Sequence, residues 1–183
     1  NFYDNRGLVS ATITTAGAGK HYLTTYQYDF AGALKRKTEY SEAIAHWDPN
    51  QPIQNKALDR TTAYTYDNLG RRKTESTIGY AADGSEVLDA TTSYDYDFLG
   101  NEIAVTNPDK SATYTYRDLL GRVTGVAKGS TDPANASHTY PYTEYKLDAH
   151  GNIVLRIDYA NGVVGAKAGA KPAVNADGVN DRY

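Results

Sequence analysis

Polar and less polar positions alternate along most of this chain with a period of two. In Thr24/Tyr26/Tyr28, Thr62/Tyr64/Tyr66, Thr92/Tyr94/Tyr96 and Ala112/Tyr114/Tyr116 every second position carries a residue suited to a half-buried surface. Successive side chains of a strand point to opposite sides, so each set predicts one face of a β-strand. An Asp-x-x-Gly motif follows: Tyr3-Asp4-Asn5-Arg6-Gly7, Tyr28-Asp29-Phe30-Ala31-Gly32, Tyr66-Asp67-Asn68-Leu69-Gly70 and Tyr96-Asp97-Phe98-Leu99-Gly100. Two looser copies run from Tyr116 to Gly121, with one extra residue, and through Leu147-Asp148-Ala149-His150-Gly151. Aspartate at the first position of a type I turn accepts a backbone N–H, and glycine at the fourth tolerates positive φ, so the motif predicts a hairpin bend.

Between these bends lies a second kind of turn, Asn107-Pro108-Asp109-Lys110, where proline's fixed φ suits the second turn position. The 20 residues from Tyr96 to Tyr116 are the unexpanded unit, two strands and two turns. Elsewhere the second turn is replaced by longer stretches rich in Pro, Gly, Asn and Asp, at 41–59, 79–89 and 128–138, with a smaller expansion at 15–20. All should emerge along one rim of the sheet, opposite the short Asp-x-x-Gly rim. The predicted fold is all-β, an antiparallel meander of β-hairpin repeats over residues 1–160. Residues 161–183 read as a Gly/Ala-rich expanded turn or flexible end leading to the next repeat. About a dozen strands in one meander exceed the size at which a twisted sheet stays flat, so the expected sheet is curved.

Composition supports the strand reading. Leu, Ile, Val and Phe total only 31 of 183 residues, but 17 tyrosines and 20 threonines supply the missing bulk, and both types favour pleated surfaces. A net charge of −3 argues against a general polyanion binder, so no nucleic-acid partner is expected. With no cysteine, disulfides, zinc–thiolate sites and thiol nucleophiles are excluded together. No stretch has the apolar length of a membrane span, and the first ten residues have no leader pattern. Methionine is absent even from position 1, where the repeat is already under way, which suggests a piece of a longer polypeptide.

The run Tyr64, Tyr66, Asp67, Gly70, Arg71 resembles the unit of YD repeats, also called Rhs repeats, a Tyr-x-Tyr-Asp-x-x-Gly-Arg pattern recurring about every twenty residues. The resemblance covers roughly residues 1–160. Ala33, Asn101 and Asn152 depart from it, leaving the basic position at Arg71 and Arg122. It implies a β-ribbon spiralling into a hollow shell, as in bacterial Rhs toxins, cocoon-forming components of insecticidal toxin complexes, wall-associated bacterial proteins and animal teneurins. In the bacterial cases the shell holds a C-terminal toxin domain. The expected role is therefore a structural segment of a toxin-encapsulating shell. Its partners would be neighbouring repeats of the parent polypeptide and the enclosed toxin domain, and its parent a secreted or cell-surface bacterial protein. Those toxins also resemble one another in a self-cleaving region containing Asp-Pro-x-Gly. Asp48-Pro49-Asn50-Gln51 and Asp132-Pro133-Ala134-Asn135 lack that glycine, so cleavage is not expected here.

Candidate chemistry is thin, and no catalytic, cofactor-binding or metal-binding residue is assigned. The stretch ending Gly19-Lys20 evokes a phosphate loop, but Thr14 stands where the first glycine should be and His21 where Ser or Thr should follow. Asp95 to Gly100 starts like a calcium loop but has Leu99 at a ligand position and Thr106 where the closing glutamate belongs. Asp95/Asp97 would suit glycoside chemistry, except that the Asp97 position recurs in every copy and is explained by the turn. His21, His46, His138 and His150 lack metal-ligand spacing. Lys35-Arg36-Lys37 and Arg71-Arg72-Lys73 read as strand ends, and Asn135-Ala136-Ser137 matters only in a secreted eukaryotic protein. The alternative to a shell segment is an extracellular carbohydrate-binding or adhesion module, with tyrosine faces stacking on sugars.

Overall fold

The computed structural model describes residues 1–17, 20–44, 46, 48, 58–81, 85–132, 139–174 and 182. The strands are β1 (Phe2–Tyr3), β2 (Val9–Gly17), β3 (Lys20–Tyr28), β4 (Leu34–Glu39), β5 (Arg60–Tyr66), β6 (Arg72–Tyr80), β7 (Glu86–Tyr96), β8 (Glu102–Thr106), β9 (Ser111–Arg117), β10 (Val123–Ser130), β11 (Thr139–Leu147) and β12 (Ile153–Val164). Each pairs with the next in sequence, so the fold is the expected all-β antiparallel meander, and no helix occurs among the described residues. Contacts divide the chain into two units, Asn1–Thr91 and Thr92–Tyr183, with β7 contributing to both.

In the first unit, Ala11, Thr25, Thr38, Thr61 and Ile78 stand directly opposite one another across β2 to β6. Directly paired residues share a face. Leu23 and Ser76 fall on that face too, opposite Ile13 and Ala63. Among the described residues, the buried ones of this unit's strands lie on this side: Ala11, Leu23, Thr38, Thr61, Ser76 and Ile78. Its threonines and serine satisfy each other, Thr38 Oγ1 with Thr61 Oγ1 at 3.2 Å and Ser76 Oγ with Thr91 Oγ1 at 2.9 Å. A hydroxyl ladder thus does what aliphatic packing usually does, with the buried threonine and serine hydroxyls paired to neighbouring hydroxyls. Tyr26, paired with Lys37, and Tyr64, paired with Glu75, are half-buried on the other face.

The second unit inverts this arrangement. Asp95, Ala104, Tyr114, Ala127, Tyr142 and Tyr159 form one continuous row across β7 to β12. Tyr94 belongs to the neighbouring row with Val105, Thr113 and Lys128, on the opposite face. Tyr94/Tyr96 and Tyr114/Tyr116 were expected to occupy equivalent positions, and they do not. The cause is the extra residue Arg117 between Tyr116 and Asp118: with a side-chain period of two, a one-residue slip moves the whole set to the other side. On their new face Tyr114 and Tyr116 are buried and join Ala104, Ala112, Ala127, Tyr142, Val163 and Ala166 in a core.

That core is a fit of rings into gaps. Gly125 faces Tyr116 and Glu144 across its two strand neighbours, and a Cβ there would come within 2.6 Å of the Tyr142 hydroxyl. At Gly129 it would come within 2.7 Å of the Tyr114 ring. Both glycines have ordinary strand conformations, so it is the close approach of rings that excludes a side chain. Tyr142 meets Tyr116 edge-on at 6.1 Å and stacks on Tyr159 at 5.5 Å, a pair of contacts worth roughly 0.5–1.5 kcal/mol each beyond their buried area. After β12 the chain folds back over this face. Val163 bridges Val174, Lys167 bridges Ala170, Ala166 is buried, and the Tyr116 hydroxyl donates to the Lys167 carbonyl at 3.2 Å.

The two central tyrosines differ in what their hydroxyls do. Tyr142 Oη is buried with no hydrogen-bond partner. Tyr142→Phe is expected to leave stability unchanged or raise it by up to about 1 kcal/mol, whereas Tyr116→Phe, which removes the hydrogen bond to the Lys167 carbonyl, should cost roughly 0.5–1.5 kcal/mol. Urea unfolding of the two variants checks this, and the reverse order would contradict the packing described.

Candidate functional site

The repeated acids build one structure six times. In the turns headed by Asp4, Asp29, Asp67, Asp97, Asp118 and Asp148, Oδ1 accepts the amide of the residue four positions on: Leu8, Ala33, Arg71, Asn101, Arg122 or Asn152, at 2.8–2.9 Å. The same oxygen also takes the amide two positions on at Arg6, Leu69, Leu120 and His150. The glycine amide returns to the aspartate carbonyl at 2.9–3.2 Å, and the glycine sits at φ between 78° and 92°. Beside every one of these turns the strand pairing slips by one residue. Such a bulge bends the strand and increases its right-handed twist.

The second turn proves to share this geometry. Lys110 N donates to Asn107 O at 3.0 Å and Asn107 N to Ser111 O at 2.8 Å. Lys110 takes the glycine's place at φ 65°, the one described non-glycine residue with positive φ. Proline at Pro108 thus marks a variant of the first turn rather than a different kind.

The second carboxylate oxygen explains the position after the glycine. Arg71 and Arg122 donate Nε to Oδ2 of Asp67 and Asp118 at 2.7 Å. Asn101 and Asn152 donate Nδ2 to Asp97 and Asp148 at 2.9 and 2.8 Å. Asparagine therefore replaces arginine in the clamp, and in the first turn Arg6 does so from inside the loop, at 3.1 Å. Arginine adds a reach that asparagine lacks: Arg6 Nη1 donates to the Asp29 carbonyl at 2.6 Å and Arg122 Nη1 to the Asp148 carbonyl at 3.2 Å. Each ties its turn to the next Asp-x-x-Gly turn along the rim. Tyrosine hydroxyls make a second tie, Tyr28 to the Val9 carbonyl at 2.9 Å and Tyr66 to the Leu34 carbonyl at 2.8 Å.

These donors hold the carboxyls below their ordinary range. The leading cause is the Leu8 amide for Asp4, the Arg71 amide for Asp67, and the side-chain amides of Asn101 and Asn152 for Asp97 and Asp148. At Asp118 desolvation pushes upward but is outweighed by the Arg122 guanidinium and the turn amides.

One charged centre lies outside the repeat logic. Glu144 in β11 is buried on the tyrosine face. Its Oε1 accepts Lys146 Nζ at 2.8 Å and Lys171 Nζ at 2.5 Å, and its Oε2 accepts the Tyr159 hydroxyl at 2.6 Å. Burial alone would raise this carboxyl; the two ammonium groups and the phenol overrule it and bring it down to about 2. A cavity of about 300 Å³ opens beside it, lined by Asp118, Arg122, Thr124 and the two lysines. A second of about 290 Å³ shares Asp118, Thr124 and Lys171 with it and runs under the apolar turn tips Phe98, Leu99 and Leu119. Kept ionised and fully hydrogen-bonded, Glu144 has no proton to give at neutral pH and works as a latch between the sheet and the returning segment. Sequence reasoning missed it because Lys171 arrives from 27 residues away; the available signal was an acid two residues after Tyr142, on the strand face that period-two counting would bury.

The candidates singled out earlier are dispersed. Gly17 pairs with Lys20 to close the β2–β3 connection, and residues 18 and 19 lie outside the described residues. Asp95 pairs with Ala104 in the ladder while Asp97 is spent in its turn. His21 makes a backbone bridge to Ile44 and its Nδ1 is buried without a partner; His46 is exposed; His150 contributes its amide to a turn; His138, Asn135, Ala136, Ser137 and Pro133 lie outside the described residues. No cluster of three metal-ligating side chains occurs among the described residues. Arg36 forms a two-pronged pair with Glu86 at 2.8 and 2.5 Å, Lys37 pairs with Glu39 at 2.8 Å and Arg72 with Glu75 at 2.8 Å. Among the described residues no helix is long and apolar enough to cross a membrane.

No protein-family model matches the chain, and no curated protein matches it. Among solved structures it is similar to the crystal structure of TcdB2-TccC3, with 14% identity, 85% of this chain covered and a TM-score of 0.37. TcdB2-TccC3-Cdc42 and TcdB2-TccC3-TEV are similar at 13% identity, with 85% and 84% coverage and TM-scores of 0.36 and 0.35. The chain spans 9% of the length of each of those chains.

The lowered carboxyls set the pH dependence. A group whose folded pKa lies below its unfolded value contributes stability above the unfolded value and loses it as pH falls through the folded one. Thermal stability should therefore be flat above pH 5 and fall below about pH 4 as Asp4, Asp67, Asp97, Asp118, Asp148 and Glu144 protonate. Melting curves from pH 7 to 2.5 test this, and an unchanged midpoint at pH 3 would contradict it. Lys110→Gly should raise stability by about 1 kcal/mol by relieving positive φ, because the Asp132 pair it gives up is exposed.

Proposed function

We infer that this chain is a structural segment of a YD/Rhs-type β shell, whose work is to continue a sheet around a toxin polypeptide, with no catalysis of its own. One observation carries the reading: the acid repeated in every copy is consumed by its own turn, Oδ1 by backbone amides and, in five of six turns, Oδ2 by an arginine or asparagine. Groups committed to fixing a bend are not poised for proton transfer. The ties from Arg6, Arg122, Tyr28 and Tyr66 to neighbouring repeats support it, because they make each repeat's stability depend on the next, as in other repeat architectures. In this reading bends of bulged strands, summed over many repeats, close the wall, and the parent protein acts outside the cell that makes it.

Limited proteolysis tests the confinement. The chain is expressed together with the coding sequence that flanks it in its gene, and digestion of the C-terminal polypeptide is followed with and without Asp67→Ala, Asp97→Ala and Asp118→Ala together. Protection in the parent and loss of protection in the triple variant are expected. Equal digestion in both would remove the confinement role. A glycan array with the 183-residue protein separates the adhesion alternative: reproducible sugar binding abolished by Tyr26→Ala or Tyr64→Ala would replace the shell reading.

A further inference from the structure

The Asp-x-x-Gly bends share one design but carry different residues at their tips. Asn5-Arg6 and Ala149-His150 fill the two places between aspartate and glycine, so the bend itself asks for no large apolar side chain there. Two neighbouring bends nonetheless carry large apolar pairs, Phe98-Leu99 and Leu119-Leu120. Phe98 is 87% exposed and Leu119 92%, in a chain whose interior is short of aliphatic bulk. Apolar groups gathered at the surface mark a place of contact.

Space lies between them. The β7–β8 and β9–β10 bends stand two strand spacings apart on one rim, about 10 Å. The cavity of about 290 Å³ is lined from both bends, with Phe98, Leu99, Ile103 and Leu119 as its apolar wall. The cavity of about 300 Å³ continues it past Asp118, Thr124 and Lys171, which line both. Together they form an elongated chamber, apolar at one end and charged at the other, within the size range of small-ligand sites.

The charged end favours an anion. Arg117, Arg122, Lys146 and Lys171 line the two cavities against Asp97, Asp118 and Glu144, which leaves one positive charge over. Asp97 and Asp118 are taken up by their own bends, through Asn101 and Arg122. Both lysines donate to the same oxygen, Glu144 Oε1, so their ammonium groups are held side by side. An ammonium has three N–H donors, and Glu144 takes one from each lysine. The two side chains stay 54% and 45% exposed, which leaves the remaining donors accessible to a ligand in the charged cavity.

We propose that this double chamber binds a medium-chain fatty carboxylate, its alkyl chain lying between the two bends and its carboxylate on Lys146 and Lys171. A carboxylate matches paired ammonium groups through charge-assisted hydrogen bonds, and an alkyl chain covers Phe98, Leu99 and Leu119. A sugar would leave that wall unused. Closing a sheet around a polypeptide needs neither cavity, so this site and the shell reading stand or fall separately.

The probe is sodium octanoate below its aggregation concentration, titrated into the 183-residue protein and followed by calorimetry and amide NMR shifts. Saturable binding is expected, with shifts at Leu99, Leu119, Thr124 and Gly169. Affinity should rise by up to about fourfold per methylene from hexanoate to decanoate, and 1-octanol should bind at least about tenfold more weakly. Leu119→Asp should weaken octanoate at least about tenfold, and Lys146→Gln, which leaves Lys171 on Glu144, about fivefold. Leu120 sits on the same bend, 75% exposed, and is not part of the lining. Leu120→Asp is therefore the control for folding and for the surface, and should stay within about twofold. No saturable binding, or equal affinity for octanoate and 1-octanol, overturns the proposal. So does an equal loss in Leu119→Asp and Leu120→Asp, since it would place the ligand on the rim surface instead of in the chamber.

Discussion

The whole construction depends on one carboxylate oxygen that accepts amides from the far side of its own turn. An aspartate at the start of a bend has two oxygens and a short stem, and here Oδ1 fixes the bend while Oδ2 takes a side-chain donor in most copies. Because the turn sets the pairing of the strands it joins, it also decides which face each side chain occupies. A turn that slipped by a residue would expose the threonine ladder of the first unit and bury its lysines. The bulge beside each turn is the local cost of this arrangement and the source of extra twist.

The faces are then filled by residues that make poor cores on their own. Threonine and tyrosine carry hydroxyls that cost free energy when buried unpaired, and the two units answer differently. The first matches hydroxyl to hydroxyl across strands, while the second offsets tyrosine rings against glycines and alanines, sends the Tyr116 hydroxyl to a carbonyl and that of Tyr159 to Glu144, and leaves that of Tyr142 unpaired. The chain thus builds an interior with few large aliphatic side chains, at the cost of specificity in position: Gly125 and Gly129 accept no side chain because rings already fill the space.

The strands and the six acid–glycine bends were legible because each rests on local chemistry repeated along the chain, whereas the stretches expected as loops at 15–20, 79–89 and 128–138 and as an expanded turn from 161 are partly strand: β2 runs to Gly17, β6 to Tyr80, β7 starts at Glu86, β10 runs to Ser130 and β12 to Val164. Asp67 and Gly70 announce their roles within four residues. What was not legible depends on parity or on distance. Arg117 is a single inserted residue that motif matching detects, but its consequence, turning Tyr114 and Tyr116 from one face to the other, needs the strand register to be seen. Asn101 and Asn152 read as departures from a basic pattern until the structure showed the amide nitrogen making the arginine's bond. Lys110 hid a glycine-like conformation behind a proline, and Glu144 acquired its partners from Lys171 and Tyr159, which no spacing rule links to it.

The central claim is that each turn aspartate is hydrogen-bonded to the amide four residues on. Through-hydrogen-bond NMR coupling between the aspartate carboxylate carbon and that amide nitrogen measures it directly. Cross-peaks linking Asp67 to Arg71, Asp97 to Asn101, Asp118 to Arg122 and Asp148 to Asn152 at pH 6.5 are the predicted result. Their absence, with the strands otherwise intact, would show that the turns are held by something else and would contradict the account.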